Sequence, residues 1–438
     1  MKKYVILLFV ITIITILSMP LVWADGVSLP ETISIGLKYG VNAPQSAQII
    51  SDGFIVTDES GQLLFEYDGH AELTATYNGV VDLSYNGQTI ASKQKLTISP
   101  KLGNIKLDGN EYRGDIAIAA SGDKLTLIND VSIEEYLYGV VPREIGGGAP
   151  LEAIKAQAVC ARSYTVRFIG RHKADGFDIC TSEHCQVYGS VSAETDKATQ
   201  GVNETAGIIG KYKDTIAELY YFASDGGATE SVENVWGSTL HPYLKAVDDP
   251  YETDKATKHK WSVTLTKSEI NDIFAQYELG EIKDIRINET TEKGTVTELE
   301  VIGTKDSKTF TKESCRMAFG GKVYSQAYTI TKNYADSSQA PSGIDSKSTY
   351  SLPSVIYVMG KDGIISKRIE EVVVASSSGV SKLISDGEVA SYTIDGRGYG
   401  HLIGMSQWGA IAMAEQGFKY DEILNHYYTG ITLENMGD

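Results

Sequence analysis

The amino-acid sequence predicts an α+β protein with a mixed or antiparallel β core and helices packed against it. Short runs that alternate apolar and polar residues, such as FIVTDES and ELTATYNG, are typical of strands separated by turns. An alanine-rich stretch that begins at Pro150, and a stretch bounded by Ser406 and Gly417, predict helices. With 438 residues, of which 42% are hydrophobic, the chain is long enough for two to three domains.

The order of these patterns along the chain predicts six parts. They are a signal peptide or anchor (1–24), a β-rich N-terminal domain (25–101), a central core (102–260), a docking-like α+β insertion (261–325), a linker with accessory strands (326–390) and the C-terminal part of the core (391–438). The insertion contains TKSEINDIFAQYEL, in which Thr266 is expected to cap a helix. The linker is rich in Ser and Pro.

The first residues have the pattern of a targeting segment. Two lysines precede a long apolar run, which is followed by Pro20 and the small residue Ala24. This order predicts a secretory signal cleaved after Ala24, or an uncleaved anchor that contacts the membrane. Either alternative places the remaining chain outside the cytoplasm, where no later segment is expected to span a membrane.

The charge balance excludes one class of partner. The chain has 57 acidic and 39 basic residues, which gives a formal net charge of -18. Nucleic-acid binding requires a basic surface, so we expect no nucleic-acid partner.

The stretch VVPREIGGGAPLEAIKAQAVCARSYTVRF places a carboxylate, Glu144, in a predicted loop just before a helix. Loops that are held by a rigid helix often carry catalytic groups, although most carboxylates are simply solvated. The following helix has three polar side chains, Gln157, Arg162 and Tyr164, on an otherwise apolar surface. They are candidates for lining a groove beside Glu144, or they face solvent.

The segment DICTSEHCQVYGS brings two thiols and an imidazole together. Cys180, His184 and Cys185, with His172 upstream, could form a closed tetrahedral zinc site of structural type. A disulfide between Cys180 and Cys185 is the alternative in an oxidising compartment. The other two cysteines, at positions 160 and 315, are either small buried residues or one long-range bridge.

The glycine-rich segment GRGYGHLIG lacks the G-x-G-x-x-G register and the flanking βαβ unit of a dinucleotide site. Its glycines would instead allow His401, Ser406 and Gln407 to approach a ligand or another backbone. These three residues are therefore candidate binding residues.

Five segments, taken in order, resemble the stage II sporulation protein D family, also called the SpoIID/LytB family. The resemblance extends roughly from Tyr112 to Thr432, with a gap over the insertion. The segments are INDVSIEEYLYGVVPREI, PLEAIKAQAVCARSYTV, DICTSEHCQVYGS, YFASDGGATESVENVWG with HPYLKAVDDPYE, and GRGYGHLIGMSQWGA with YDEILNHYYTG.

The resemblance implies a lytic transglycosylase that acts in the cell wall, in sporulation or in ordinary wall turnover. Such an enzyme cleaves peptidoglycan glycan strands between N-acetylmuramic acid and N-acetylglucosamine and leaves 1,6-anhydro ends. Glu144 matches the family's catalytic glutamate, which would act as the single general acid and base on strands freed of stem peptides. We expect burial to raise its pKa and the neighbouring helix N-terminus to lower it. Arg162 matches a functionally important arginine of the family.

The resemblance also implies a structural zinc ion at Cys180, His184 and Cys185, with His172 as the fourth ligand, which is not required for the chemistry. Two other functions remain open. Some relatives are named amidase enhancers, which indicates a non-catalytic glycan-binding partner of a cell-wall amidase. A zinc hydrolase would require an open coordination position.

The chain departs from the family pattern at two positions. Many members have His in place of Ala223 and Gly in place of Leu402. If these positions shape the cleft, substrate preference or activity would differ from that of other members.

Overall fold

The computed structural model describes residues 29–334 and 389–436, together with short strands within 342–383. The α+β class predicted from the sequence is confirmed. The predicted signal or anchor segment, 1–24, lies outside the described residues. Within the described part of the chain, no helix combines the length and the apolar character that a bilayer span requires.

The N-terminal part forms one large sheet of ten strands, with the order β10-β1-β9-β8-β6-β2-β3-β4-β5 and β7 paired to β6. The strands are β1 Thr32–Lys38, β2 Ser46–Asp58, β3 Leu63–Tyr77, β4 Val81–Tyr85, β5 Gln88–Lys93, β6 Lys95–Leu107, β7 Asn110–Tyr112, β8 Asp115–Ser121, β9 Lys124–Ser132 and β10 Ile179–Cys180. All neighbours are antiparallel except β1 and β10.

The alternation in the sequence sets the faces of this sheet. Alternate residues of β2 and β3, among them Val56 and Leu73, point into a buried apolar cluster. The cluster also contains Ile98 from β6 and Leu127 from β9. A domain boundary at residue 101 would therefore fall inside β6, because the sheet continues without interruption to Ser132.

Strand β1 connects the two ends of this region. It pairs with β9 in an antiparallel register and with β10 in a parallel register, with Gly36 opposite Cys180. Because this pairing joins residues 144 positions apart in the chain, the N-terminal strand is part of the core that follows it.

A layer of helices packs beside this sheet. The elements that follow β9 are α1 Ile133–Val141, a π-helical turn Pro142–Gly146, α2 Leu151–Phe168, α3 Asp196–Asn203, β11 Ile208–Tyr212, β12 Thr215–Ile216, β13 Tyr221–Phe222 and α4 Val232–Val235. Helix α2 begins after Pro150, as the sequence predicts, and its residues from Ala156 to Thr165 are all buried. Small alanines allow its neighbours to approach on every side, so α2 is the central helix of the core.

A third unit is built on the predicted insertion. Its elements and those that follow are β14 Lys260–Thr266, α5 Lys267–Phe274, β15 Ile282–Thr290, β16 Val296–Gly303, β17 Ser307–Thr311, α6 Ser314–Met317, β18 Tyr328–Tyr334, the hairpin strands β19 Ser342–Ile344, β20 Thr349–Ser351, β21 Val355–Gly360, β22 Gly363–Arg368, β23 Val372–Ser376 and β24 Gly379–Leu383, and then β25 Val389–Arg397. The predicted cap at Thr266 is confirmed, since Thr266 and Glu269 form a reciprocal capping box.

The third unit is larger than the predicted insertion. Strand β25 lies between β14 and β18 in one antiparallel sheet. Boundaries at residues 325 and 390 therefore separate strands that share one sheet and one apolar core, in which Trp261, Tyr328 and Ile394 are buried.

The C-terminal segment returns to α2. It forms β26 Met405–Ser406, α7 Gln407–Glu415, α8 Tyr420–Tyr427 and β27 Thr432–Asn435. Strand β26 pairs with β13 in parallel, and β27 pairs with β11. The predicted Ser406 cap is confirmed, because its hydroxyl accepts a hydrogen bond from the Gly409 N–H at 3.1 Å. This return brings Gln407 to the helix that follows Glu144.

Candidate active site and metal site

Glu144 lies on the π-helical turn that extends α1, rather than in a loop at the start of α2. Pro142 has no N–H to donate, which favours a change from α-helical bonding to a wider turn at this point. Gly146, with φ of 85°, then ends the turn in the left-handed region. The carboxylate is thus attached to rigid backbone at the C-terminal end of a helix.

This position adds the dipole of a second helix, α1, to the surroundings of Glu144. The C-terminal end of α1 carries partial negative charge, which disfavours a carboxylate. The α1 dipole therefore acts in the same direction as burial. Burial raises the pKa of Glu144, and the neighbouring Glu183 carboxylate raises it further.

Three hydrogen bonds hold the Glu144 carboxylate and oppose that increase. The Val187 N–H donates to Oε1 at 3.2 Å. The side chains of Gln407 and Tyr221 also bond to it and lower its pKa, but burial outweighs all three contacts. Burial therefore stabilises the protonated form of Glu144, and the hydrogen-bond donors stabilise its carboxylate form.

Tyr221 is held by a buried glutamine. The Gln186 amide Nε2 donates to the Tyr221 hydroxyl at 3.0 Å. The Gln186 Oε1 atom accepts from Thr165 Oγ1 at 2.8 Å and from the Tyr136 hydroxyl at 3.3 Å. Because the Tyr221 hydroxyl accepts from Gln186, its own proton remains available to donate to Glu144.

Gln407 connects Glu144 to α2. Its Nε2 donates to Gln157 Oε1 at 3.3 Å, and Gln157 is fully buried. The Gln157 Nε2 atom has no partner within the described part of the chain. Gln407 is thus the predicted binding residue that the structure brings to Glu144, and Gln157 bonds to Gln407.

A second cluster lies on the segment that follows β10. One ligand atom from each of His172, Cys180, His184 and Cys185 lies within 4.8 Å of the others. The His172 Nδ1 atom is 2.9 Å from Asp175 Oδ2, which turns Nε2 towards His184 Nδ1 at 3.2 Å. The His184 Nδ1 atom is 3.8 Å from Cys180 Sγ and 3.7 Å from Cys185 Sγ.

The donor set fits a tetrahedral zinc ion. Two thiols and two imidazoles are a standard structural set, and four protein ligands leave no open position for substrate. All four cysteines of the chain are free thiols. Burial raises the pKa of the Cys180 thiol, but hydrogen bonds from Ser182 and His184 outweigh it and lower the pKa to about 6.

The two sites share one segment. Residues 180–187 carry both cysteines, the Glu183 carboxylate and the Val187 N–H that bonds to Glu144. Any ligand that fixes the cysteines would therefore also fix two groups that set the pKa of Glu144.

Comparisons with known proteins agree with this arrangement. Residues 121–212 match the family model described as Stage II sporulation protein, and this range contains Glu144 and the cysteine–histidine cluster. The chain is 27% identical over 318 residues to Stage II sporulation protein D of Bacillus subtilis, a match that covers 69% of this chain and 74% of the relative. Residues 121–212 thus belong to the stage II sporulation protein family.

Two other relatives have similar levels of identity to the chain. The chain is 30% identical over 351 residues to the amidase enhancer of Bacillus subtilis, which covers 75% of this chain and 45% of the enhancer. The chain thus matches less than half of that relative's length. An uncharacterized protein of Brachyspira hyodysenteriae is 28% identical over 330 residues, with 75% of this chain and 73% of the relative covered. Residues 248–345 match a domain of unknown function, DUF8618.

Arg162 lies in the interior of the protein. Its side chain is fully buried and donates to Glu134 at 2.8 and 2.6 Å and to the Ile208 carbonyl at 3.0 Å. Tyr164 is also buried and accepts from Arg171 at 3.0 Å. The structure therefore places both predicted binding residues where they hold elements together.

The side chains of His401 and Ser406 also form hydrogen bonds within the protein. The His401 Nε2 atom donates to the Tyr221 carbonyl at 3.0 Å, while Nδ1 accepts from the Ile403 N–H at 3.0 Å. Burial lowers the pKa of His401 to about 4, so this imidazole is neutral at ordinary pH. Ser406 donates to Glu252 at 2.7 Å. Both residues fix the backbone beside Tyr221 and Gln407.

The departure at Leu402 has a visible consequence. Leu402 is fully buried and has φ of 66°, in the left-handed region where many family members have Gly. Its side chain packs with Phe222 and Ala327, between the core and the third unit. The backbone at Leu402 is therefore strained, while its side chain makes an apolar contact that glycine could not make.

Sequence reasoning missed Tyr221, Gln186 and Val187. Gln186 and Val187 lie in the segment DICTSEHCQVYGS, and Tyr221 directly precedes the segment FASDGG. A buried amide beside tyrosines is a signal for a polar network, but only the tertiary pairing of β13 with β26 brings them to Glu144.

Proposed function

We propose that the chain is a lytic transglycosylase that cleaves peptidoglycan glycan strands with Glu144 as its single general acid and base. The observation that supports this best is the environment of Glu144. It is a partly buried carboxyl group with a raised pKa, held by three hydrogen-bond donors on rigid backbone. A carboxyl group whose pKa is raised is suited to act first as a general acid and then as a general base.

In the first step, protonated Glu144 donates its proton to the glycosidic oxygen as the bond to the muramic acid C1 breaks. The bonding electrons leave with the N-acetylglucosamine hydroxyl, and positive charge develops at C1. The Val187 N–H, Tyr221 and Gln407 then stabilise the new Glu144 carboxylate. They are in place before the reaction, so little reorganisation is needed.

In the second step, the Glu144 carboxylate accepts the proton of the muramic acid C6 hydroxyl. The C6 oxygen bonds to C1 and closes the 1,6-anhydro ring, which returns Glu144 to its protonated state. Because the nucleophile belongs to the substrate, no water has to be activated. A second catalytic carboxylate of the kind that hydrolytic glycosidases use is therefore not required.

Zinc would support this site without taking part in the chemistry. His172, Cys180, His184 and Cys185 would hold it, and it would supply a rigid cross-link within the 172–185 segment. The residues that gain from this rigidity are Glu183 and Val187, since both set the pKa of Glu144.

We propose the cell wall, or the outer face of the cytoplasmic membrane, as the place of action, and glycan strands without stem peptides as the substrate. The N-terminal apolar segment motivates the location, and its lysine-apolar-proline pattern is that of a secretory signal or anchor. A cell-wall amidase, which would remove the stem peptides, is the proposed partner.

A second function is favoured by one finding. The relative with 30% identity is named amidase enhancer, so the chain could instead bind glycan and stimulate an amidase without cleaving strands. The two functions predict different products.

The experiment that separates them uses the purified chain on glycan strands with and without stem peptides, alone and together with a cell-wall amidase. A transglycosylase releases anhydro-ended fragments without the amidase, most rapidly from strands without stems. An enhancer releases none by itself and only accelerates the removal of stem peptides. If neither product changes, both functions are wrong.

A further inference from the structure

Three acidic residues meet in the interior, away from both sites described above. Asp225 follows β13, while Asp249 and Glu252 precede β14, and their exposed fractions are 0%, 2% and 6%. One oxygen atom from each lies within 4.8 Å of the other two. Burying even one carboxylate is costly unless its charge is compensated.

Glu252 is compensated by hydrogen bonds. Its Oε1 atom accepts from Ser224 at 2.6 Å, from the Gly226 N–H at 2.9 Å and from His259 at 2.9 Å. Its Oε2 atom accepts from the Asp225 N–H at 3.0 Å and from Ser406 at 2.7 Å. These five donors use the hydrogen-bonding capacity of both Glu252 oxygens.

Asp249 is compensated only in part. Its Oδ1 atom accepts from the N–H groups of Tyr251 at 2.9 Å and Glu252 at 3.0 Å. Its Oδ2 atom accepts from the Tyr427 hydroxyl at 2.6 Å. An sp² carboxylate oxygen can accept a second contact, so Oδ2 still has capacity for a positive partner.

Asp225 has an oxygen without any donor. Its Oδ1 atom accepts from the Gly227 N–H at 2.7 Å, but the fully buried Oδ2 atom has no partner. The Asp225 and Asp249 side chains lie within hydrogen-bonding reach of each other, and burial and the neighbouring Asp249 and Glu252 carboxylates raise the pKa of Asp225. Two buried carboxyl groups this close together require a proton or a cation between them.

The nearest guanidinium does not fill this role. Arg397 donates to the backbone carbonyls of Asp225, Ala228 and Lys293, and it makes no hydrogen bond to the three carboxylates. His259 bonds to Glu252, on the other side of the cluster. The open oxygen of Asp225 is therefore left to a ligand or to a proton.

We propose that Asp225 and Asp249 bind a calcium ion, with the hydrogen-bonded carboxylate of Glu252 beside it. The donors are all hard oxygen atoms, which suit calcium or magnesium and not the soft cysteine–histidine set. Calcium fits better than magnesium, because it accepts irregular geometry and mixed carboxylate contacts, whereas magnesium demands a near-ideal octahedron. The site is thus a second metal site with a different metal.

The ion would connect parts of the chain that surround the active site. The cluster contacts α7 through Ser406 and α8 through Tyr427. Gly409 of α7 packs directly on Asp249 and Tyr427, where a Cβ atom would collide with both. Since Gln407 begins the same helix, calcium would stabilise the backbone that presents Gln407 to Glu144.

The test measures calcium binding to the purified full chain by equilibrium dialysis, with zinc held at saturation in every sample. The matched variants are Asp225→Asn and, as a control, Asp248→Asn, whose side chain is exposed and pairs with Lys293. We expect one bound calcium ion per chain and a rise in Tm of about 5–10 °C when calcium is roughly one hundred times its Kd. Asp225→Asn should lose both effects, and Asp248→Asn should keep them.

The alternative is a proton shared by Asp225 and Asp249. In that case the wild-type chain binds no calcium, and Asp225→Asn is as stable as wild type or more so, because its amide can donate to Asp249. Either result overturns the proposal, as does calcium binding that Asp225→Asn retains. Should Asp225→Asn not fold, the absence of bound calcium from the wild-type chain is sufficient to reject it.

Discussion

Arg162 and Glu134 form a two-point ion pair, with distances of 2.8 and 2.6 Å, that ties the middle of α2 to the first turn of α1. Arg162 is fully buried, and Glu134 also accepts from the Gly207 N–H at 3.1 Å. Glu144 follows Glu134 by ten residues, or about 15 Å along the helix. The ion pair therefore fixes the near end of the helix whose far end presents Glu144.

The first prediction concerns Arg162→Ala. It should lower the free energy of unfolding by about 3–5 kcal/mol, because it leaves Glu134 as an uncompensated, partly buried charge. Urea unfolding measures this directly. Arg167→Ala is the matched control on the same helix, since its partly exposed pair with Glu218 should contribute at most about 1 kcal/mol. An Arg162→Ala chain with wild-type stability but no glycan binding would show that Arg162 contacts substrate.

The second prediction concerns the stability of Glu144→Gln. Burial raises the pKa of Glu144 in the folded chain, so the fold favours the protonated form. Below the ordinary carboxyl pKa, Glu144 is neutral in both folded and unfolded chains, and the variant should match wild type. As the pH rises through the folded pKa, the buried charge destabilises wild type, and the variant should become the more stable protein.

Thermal unfolding of both proteins between pH 4 and pH 8 tests this sign. A Tm of the variant that is lower than wild type at neutral pH would mean that the three hydrogen bonds to the carboxylate outweigh its burial. That result would show that the pKa of Glu144 is not raised in the folded chain.

The third prediction concerns the metal. Removing zinc with a chelator, or replacing His184 by Gln, should lower Tm and loosen the 172–185 segment, because a structural metal contributes directly to folding. Elemental analysis and hydrogen exchange measure the two effects. His70→Gln is a suitable control, since His70 is exposed on the N-terminal sheet. A protein that contains no zinc and has lost two hydrogens from Cys180 and Cys185 would carry a disulfide instead.

The fourth prediction uses the strained backbone of Leu402. Leu402→Ala should cost about 3–5 kcal/mol, because it removes a buried side chain and keeps the strain. Leu402→Gly loses the same contacts but relieves about 1–2 kcal/mol of left-handed strain. Glycine should therefore be the less damaging substitution, the reverse of the usual order. Urea unfolding of both variants measures the difference. If the alanine variant is more stable than the glycine variant, the backbone at Leu402 is not strained.

The sequence predicted those elements whose signals are local. The cap at Thr266, the helix from Pro150 and the cap at Ser406 are all read from neighbouring residues, and the structure confirms them. The pairing of β1 with β9 and β10 could not be read in this way, because strand register depends on partners far apart in the chain.

Contacts between residues far apart in the chain also limit what the sequence can predict about the site. Glu144 could be singled out from its own segment and from the family resemblance, and the cysteine–histidine set from its spacing. The buried partners of Arg162 and His401 could not be predicted, because a polar side chain on a helix or glycine-rich loop gives no sign of them. Their partners, Glu134 and the Tyr221 carbonyl, come from other segments.

The central claim is that Glu144 transfers one proton while the substrate's own hydroxyl attacks. The most direct measurement incubates stem-free glycan strands with the chain in water enriched in heavy oxygen and determines product masses. We predict anhydro ends with no heavy oxygen, and a rate about 100- to 10,000-fold lower for Glu144→Gln. Heavy oxygen at the new ends, or equal rates for both proteins, would contradict the claim.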